Sequence, residues 1–324
     1  MTVLLVLLAL TALVLIGLAW FTHRTARRIE AFMPPRGRFV DVPGARLHVR
    51  ESGHGPAVLL VHGLGGQSAH FDYGVADALA QHYRVIAVDR PGAGHSQRGP
   101  ATPADVSTQA AALAALIDQL GLVRPTVAGH SLGGAIALTL ALNHPDKVGA
   151  LALVAPLTHV QDSAPAVFRA LAIESPWLRT LFAWTLATPA SIAGSKKVLA
   201  AVFAPESAPR DFAVKGGGML SLRPRQFLAA SGDMQALPGH MPGVQARYGE
   251  LSVPVSVLYG RDDAILDWKV QGQGLLDKVA GARLELVDGG HMLPVTQPRL
   301  VADFIAQCAG EAQHAVPVSA RRDA

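Results

Sequence analysis

An apolar strand pattern runs directly into a helix pattern at residues 127–138, and the junction places a serine between glycines. The segment reads VAGHSLGGAIAL. A chain can turn so sharply from a buried strand into a helix only where neighbouring residues lack Cβ atoms, because the two backbones pass close together. The pattern therefore predicts that Ser131 lies on a strained corner and projects its hydroxyl outward, as a nucleophilic serine would.

The same theme of an apolar run followed by a glycine-rich loop recurs along the chain. It is repeated in PAVLLVHG, YRVIAVDRPGAG, VGALALVAP, VPVSVLYG and ARLELVDGG, with helix patterns between these runs. Strands that alternate with helices predict an α/β fold, with a mostly parallel sheet and helices on both faces. A hairpin with Pro43 and Gly44 at its turn precedes this region. We predict that residues 38–158 and 251–309 form the α/β core.

Residues 159–250 interrupt the alternation. They have helical periodicity and several aromatic residues, but no strand pattern like those of the core. We predict that this segment is a helical cap inserted into the α/β core. The alternative is a second helical layer that only buries core surface. The final segment, 310–324, is predicted to be a disordered tail.

The N-terminus carries a long apolar run from Val3 to Phe21, interrupted only by Thr11 and Gly17. As a helix it would span about 28 Å, close to the thickness of the hydrocarbon core of a bilayer. We predict a transmembrane anchor over 3–21 and a basic linker over 22–37. The positive residues follow the run, which favours a globular part on the cytoplasmic face. The alternative is a cleaved signal peptide and a secreted protein.

Composition argues against other classes of function. The net charge is +4, but the basic residues are scattered and form no stripe with aromatic residues, so we expect no nucleic-acid partner. Cys308 is the single cysteine, so neither a disulfide nor a metal site built from cysteines can form within the chain. We expect no metal and no cofactor.

A nucleophilic serine needs a base and a group that orients the base. Among 13 histidines, His291 is favoured by position, because it lies in a glycine-rich loop directly after a predicted strand. Asp262, Asp263 and Asp267 follow another predicted strand, between Ser131 and His291 in the chain. Asp267 is better placed to cap the next helix, and spacing favours Asp263 over Asp262.

Five short motifs in order, HGLGG, DRPGAGHS, GHSLGG, GRDD and GGH, resemble the α/β-hydrolase superfamily with a cap domain. The resemblance covers about residues 38–308, and the layout is similar to membrane-anchored monoacylglycerol lipases. It implies a catalytic triad, an oxyanion hole of two backbone amides, and substrate-binding residues beside them. By this resemblance, the triad is Ser131, Asp263 and His291. The two amides belong to Leu64 and Leu132, and the substrate-binding residues are His62, Gly63 and His130.

The expected activity is hydrolysis of a carboxylic ester with an apolar acyl group, lipid-like or monoacylglycerol-like, through an acyl-enzyme. Three alternatives remain: cleavage of a carbon–carbon bond in ring-fission products, acyl transfer, and a non-catalytic binding module tethered to the membrane. Ring-fission products are anionic. An arginine on the cap side of the cleft, at Arg169, Arg179 or Arg210, would therefore favour the first of these.

Overall fold

The computed structural model describes residues 1–160 and 165–315. The strands in this part of the chain are β1 Arg38–Val42, β2 Ala45–Ser52, β3 Ala57–Val61, β4 Arg84–Val88, β5 Gln97–Arg98, β6 Thr126–His130, β7 Ala150–Val154, β8 Val255–Gly260 and β9 Arg283–Val287. The α-helices are α1 Thr2–Phe32, α2 Val75–Leu79, α3 Val106–Gln119, α4 Leu132–Asn143, α5 Pro176–Thr185, α6 Ala187–Phe203, α7 Pro224–Ala246, α8 Gly274–Leu276, α9 Leu293–Thr296 and α10 Pro298–Ala315.

These strands form one sheet. Its order is β1-β2-β4-β3-β6-β7-β8-β9, and the short β5 pairs with β2. The pairs that involve β1 or β2 are antiparallel, whereas the strands from β4 to β9 along this order are parallel. The mostly parallel α/β sheet predicted from the sequence is confirmed, and so is the hairpin that turns at Pro43 and Gly44.

Helices cover both faces of the sheet because its central strands are apolar on both sides. Every residue of β6, β7 and β8 is buried. One face packs against α3 and α4, through residues such as Leu113 and Ile136, and the other packs against α2 and α10, through Leu79 and Ile305. Since β3, β6, β8 and β9 are parallel, the loops at their carboxyl ends meet at one edge of the sheet.

Between β7 and β8 the chain leaves the sheet. The described residues of this segment, 165–250, contain α5, α6, α7 and several 3₁₀ turns but no strand. We call residues 165–250 the helical insert. It lies over the sheet edge at which the loops meet, since it shares a cavity with those loops. That it behaves as a separate cap domain, with boundaries at 159 and 250, stays a prediction.

Helix α1 is longer than the apolar run that predicted it, so the expected linker from residue 22 is wrong up to Phe32. The sequence after the run lacks glycine and proline until Pro34, and it places small or apolar residues at helical spacing. Thr22, Ala26 and Ile29 are buried against the helical insert, which holds this part of α1 in place. Among the described helices, α1 is the one long and apolar enough to cross a membrane, and an N-terminal signal sequence would have the same properties.

The predicted disordered tail is also partly wrong, because α10 continues through Ala315. Its last turns are held by the sheet: Arg283 on β9 donates from Nη1 to Glu311 Oε1 over 3.0 Å. The rest of the predicted tail, 316–324, lies outside the described residues.

Candidate active site

Ser131 lies on the sharp turn between β6 and α4. Its φ of 55° and ψ of −123° put a non-glycine residue in a strained region of backbone space. The flanking glycines make the turn possible. A Cβ atom on Gly129 would lie 2.5 Å from the Gly133 carbonyl oxygen, and one on Gly133 would lie 2.2 Å from the Val61 carbonyl oxygen. The backbone of β3 and the start of α4 therefore leave room for nothing larger than glycine.

The loop after β3 comes close to the serine. A Cβ atom on Gly63 would lie 2.8 Å from Ser131 Cβ and 3.3 Å from its Oγ. The next residue, Leu64, lines the space in front of Ser131. Leu132 is the first residue of α4, so its N–H belongs to the unpaired donors at a helix N-terminus. Both positions fit the two amides of an oxyanion hole, and this assignment stays a prediction.

His291 and Asp263 form a buried pair on the loops after β9 and β8. The Nδ1–H of His291 donates to Asp263 Oδ2 over 2.7 Å. The other oxygen of Asp263 accepts from the backbone N–H groups of Ile265 and Leu266, over 2.8 and 2.9 Å. Asp262 is exposed, and only its backbone N–H joins this region, donating to Gly289. The geometry therefore selects Asp263 over Asp262 as the partner of His291.

Ser131 and His291 line one cavity of about 330 Å³. Its far wall is formed by apolar side chains of the helical insert, which include Phe168, Leu171, Phe182, Leu199, Val202 and Phe227. A second cavity of about 130 Å³ meets the first at Ser131 and Leu64, and its other described walls are apolar. No described residue that lines either cavity is an arginine, lysine, aspartate or glutamate.

The three arginines that would have favoured an anionic substrate lie elsewhere. Arg169 and Arg210 are exposed. Arg179 lines a separate cleft together with Arg98 and Arg225. A substrate that carries a carboxylate would therefore find no arginine or lysine among the described walls of the two cavities.

The two other histidines that the sequence assigned to the site, His130 and His62, have different surroundings. His130 lines the cavity, and its Nε2–H donates to the carbonyl oxygen of His291 over 3.0 Å; that it binds substrate stays a prediction. Its Nδ1 has no hydrogen-bond partner among the described residues. Burial, followed by the nearby His291, lowers the pKa of His130 well below its usual value. The ring therefore stays neutral and adds no positive charge to the cavity.

For His62, the prediction of substrate binding is wrong, although Gly63 beside it does line the cavity. His62 is fully buried behind the loop, and both ring nitrogens are occupied. Its Nδ1–H donates to the Gly63 carbonyl over 2.9 Å, and Nε2 accepts from the backbone N–H of Arg90 over 3.0 Å. Burial lowers its pKa far below the usual value. The ring therefore fixes the backbone of the loop and does not reach substrate.

Arg90 was missed by the sequence reasoning. It follows β4, is 1% exposed, and donates to the carbonyl oxygens of both His62 and Gly63 over 2.9 Å. Its Nη1 also pairs with Asp233 Oδ2 on α7 over 2.8 Å. Arg90 thereby joins the loop that carries Leu64 to the helical insert. An arginine directly after an apolar strand was the available signal, because a charge so close to the core requires partners.

The described residues contain no group of three or more His, Cys, Asp or Glu side chains arranged to hold a metal ion.

Comparison with known proteins agrees with this architecture. A family model described as alpha/beta hydrolase fold matches residues 56–298. An uncharacterised protein of Mycobacterium tuberculosis is 39% identical over 131 residues, but the match covers only 40% of this chain and 38% of that protein. A 2-hydroxy-6-oxononadienedioate/2-hydroxy-6-oxononatrienedioate hydrolase of Comamonas testosteroni is 29% identical over 81% of this chain and 91% of its own.

Among solved structures, an alpha/beta hydrolase fold protein from Burkholderia ambifaria superposes with a TM-score of 0.69 at 25% identity. The superposition covers 83% of this chain and 97% of that one. The family model accounts for most of the chain and includes every loop that forms the site. The chain belongs to the alpha/beta hydrolase fold family, and its fold is that of a hydrolase enzyme.

Proposed function

We propose that the protein is a membrane-anchored serine hydrolase that cleaves carboxylic esters with an apolar acyl group. One observation carries the proposal: Ser131 and the His291–Asp263 pair meet at a cavity whose described walls include no arginine, lysine, aspartate or glutamate. Apolar walls favour an apolar substrate, because each buried CH₂ group contributes about 0.8 kcal/mol. Helix α1 supports the anchor, and the basic residues that follow its apolar run support a cytoplasmic catalytic part.

The proposed reaction transfers the acyl group twice. His291 takes the proton of the Ser131 hydroxyl while Oγ forms a bond to the ester carbonyl carbon. The amides of Leu64 and Leu132 stabilise the oxyanion, and Asp263 stabilises the charged imidazole. The bond between carbon and the alcohol oxygen then breaks, and His291 returns the proton to the leaving alcohol. Water, activated by His291, cleaves the acyl-enzyme and releases the acid.

A second candidate is hydrolysis of a carbon–carbon bond, because the Comamonas testosteroni relative matches most of the chain and is named for that substrate class. The name of its substrate denotes a dicarboxylic acid. The walls of the two cavities favour the ester, since their described residues include no arginine or lysine to form an ion pair with a carboxylate.

The test compares wild type with Ser131→Ala in detergent micelles, on p-nitrophenyl esters from C2 to C16, together with labelling by an active-serine phosphonate. We expect labelling and a rate that peaks at C8 or longer, with both lost in the variant. Labelling without ester cleavage would favour the carbon–carbon hydrolase. A folded wild-type protein that stays unlabelled would contradict every serine-hydrolase assignment and favour the binding module.

A further inference from the structure

The side of α5 that faces away from the cavity is apolar and exposed. Trp177, Leu178, Leu181 and Trp184 follow one another at i, i+1, i+4 and i+7, which places them on one stripe of the helix. Trp177 is 68% exposed and Trp184 is 41% exposed. A stripe that contains two exposed tryptophans is unusual on a soluble surface and indicates a contact with another apolar phase.

Helix α6, which packs against α5, also carries exposed apolar residues. Leu186 just before it and Ile192 and Val198 within it are exposed, and Lys196 and Lys197 stand exposed beside Val198. Apolar side chains next to lysines are typical of helices that lie in a membrane interface, where the apolar groups enter the lipid and the ammonium groups reach the headgroups.

The position of α1 identifies the apolar phase. Thr22, the first residue after the apolar run, donates from Oγ1 to the carbonyl oxygen of Thr185 over 3.3 Å. Thr185 is the last residue of α5, so α5 ends where α1 would leave the hydrocarbon. Trp20 of α1 is exposed at the same level. Tryptophan is enriched at this depth of a bilayer.

The charges next to this surface match an anionic membrane. Arg24, Arg27 and Arg28 are exposed on the part of α1 that follows the apolar run, and Lys196 and Lys197 are exposed on α6. Basic residues beside a span are attracted to the anionic lipids of the cytoplasmic leaflet. A second copy of the chain would fit this face less well, because its own arginines and lysines would be brought against them.

Another side of the same two helices faces the cavity. Phe182 of α5 and Ala187 and Ser191 of α6 line it. Val198 belongs to both surfaces, because it lines the cavity and is also 41% exposed to solvent. The wall of the cavity therefore reaches the outer surface at Val198, within the exposed apolar surface.

We propose that the exposed face of α5 and α6 is a second membrane contact, which lies in the headgroup region beside α1 and opens the cavity to the lipid near Val198. An apolar ester would then enter from the bilayer without crossing water. The contact itself is independent of the reaction, whereas entry of the ester rests on the proposed function.

The test measures the depth of single tryptophans in the full chain, reconstituted in vesicles of phosphatidylcholine and phosphatidylglycerol with brominated acyl chains. Three variants each keep one tryptophan, at Trp184, Trp20 or Trp268, and carry phenylalanine at the other three positions. Bromine quenches indole fluorescence only at contact distance. We expect strong quenching for Trp20 in the span, clear quenching for Trp184, and little for Trp268, which packs against the α/β core.

Quenching of Trp20 but not of Trp184 beyond the level of Trp268 would overturn the proposed contact. Absence of quenching at Trp20 would also overturn it, because α1 would not be in the bilayer. A second arm uses the double variant Leu181→Ser, Trp184→Ser, neither residue lining the cavity. Its rate on a long-chain ester held in vesicles should fall at least fivefold, and its rate on a soluble short ester should not change. If the variant cleaves the ester held in vesicles as fast as wild type does, entry from the lipid is contradicted.

The two readouts separate this proposal from the proposed function. If wild type cleaves no ester but Trp184 is quenched, the membrane contact stands and ester hydrolysis fails. If esters are cleaved and Trp184 is not quenched, hydrolysis stands and the contact fails.

Discussion

The two walls of the cavity are built on opposite principles. The wall formed by the loops of the sheet carries the polar groups of the candidate site, and hydrogen bonds fix two of them: His291 on Asp263, and Asp263 on two backbone amides. The wall formed by the helical insert presents mainly apolar side chains, held by packing alone. Hydrogen bonds fix both distance and direction between their atoms, whereas apolar packing tolerates exchange of residues of similar volume. Under the proposed function, the loops would carry out the chemistry and the insert would select the substrate.

The largest effect is expected for Asp263→Asn, in the wall formed by the loops of the sheet. We expect turnover to fall by about 10⁴-fold, because an amide cannot hold His291 in the required tautomer or stabilise its cation. Asp262→Asn is the matched control and should retain nearly full turnover, since Asp262 is the neighbouring residue and its side chain is exposed. Steady-state kinetics on one ester decide the matter. Equal losses in the two variants would show that the pair does not act through the hydrogen bond described here.

Gly63→Ala should have the next largest effect. The added Cβ would lie 2.8 Å from Ser131 Cβ, so the loop that carries Leu64 must move. Displacing one oxyanion donor lowers kcat by about 10²-fold. Gly194→Ala in α6 is the control, because a Cβ there meets nothing within 4 Å. A Gly63→Ala variant with wild-type kcat would show that the loop has more freedom than its contacts indicate.

Asp233→Asn probes the connection between the two walls. It leaves Arg90 without its buried carboxylate partner, so we expect the free energy of unfolding to fall by about 3 kcal/mol. Because Arg90 holds the carbonyls of His62 and Gly63, kcat on a short ester should fall about tenfold with little change in KM. Asp277→Asn, at an exposed carboxylate, is the control. A loss of stability with unchanged kcat would make Asp233 a purely structural residue.

The smallest effect is expected in the apolar wall. Val202→Trp replaces a small aliphatic side chain in the cavity wall with an indole ring. The ratio of long-ester to short-ester hydrolysis should therefore fall about fourfold for each methylene group that is excluded. The rate on a short ester should stay within about twofold of wild type. Val123→Trp, at a position 87% exposed, is the control. If the short ester suffers as much as the long one, the insert also contributes to the chemistry.

The parts of the site that sequence could predict are those with a local signal. Ser131 is marked by its glycines, and Asp263 and His291 by their positions after strands. Arg90 and Asp233 are 143 residues apart, and nothing in the sequence of α7 marks Asp233 as the partner of a buried arginine. His62 was misjudged for the same reason: which way a side chain points at the end of a strand depends on what packs behind it.

The fold could likewise be predicted where the signal is local and not where an element depends on a distant partner. Alternating apolar runs predicted the sheet, but the extent of α1 depended on a partner. Ala26 and Ile29 have helical spacing relative to Thr22, yet residues 22–32 look like a basic linker until the helical insert supplies a surface for them. The end of α10 is similar, since Glu311 is held by Arg283 from another part of the chain.

The continuity of α1 has a mechanical consequence. The helix has no joint between its apolar run and the residues locked against the insert, so in a membrane-anchored chain the two parts would tilt together. Transmembrane helices tilt when the bilayer is thinner than their apolar length. A change in lipid thickness would then rotate the opening of the cavity relative to the membrane plane, and the physical state of the bilayer would become an input to the rate.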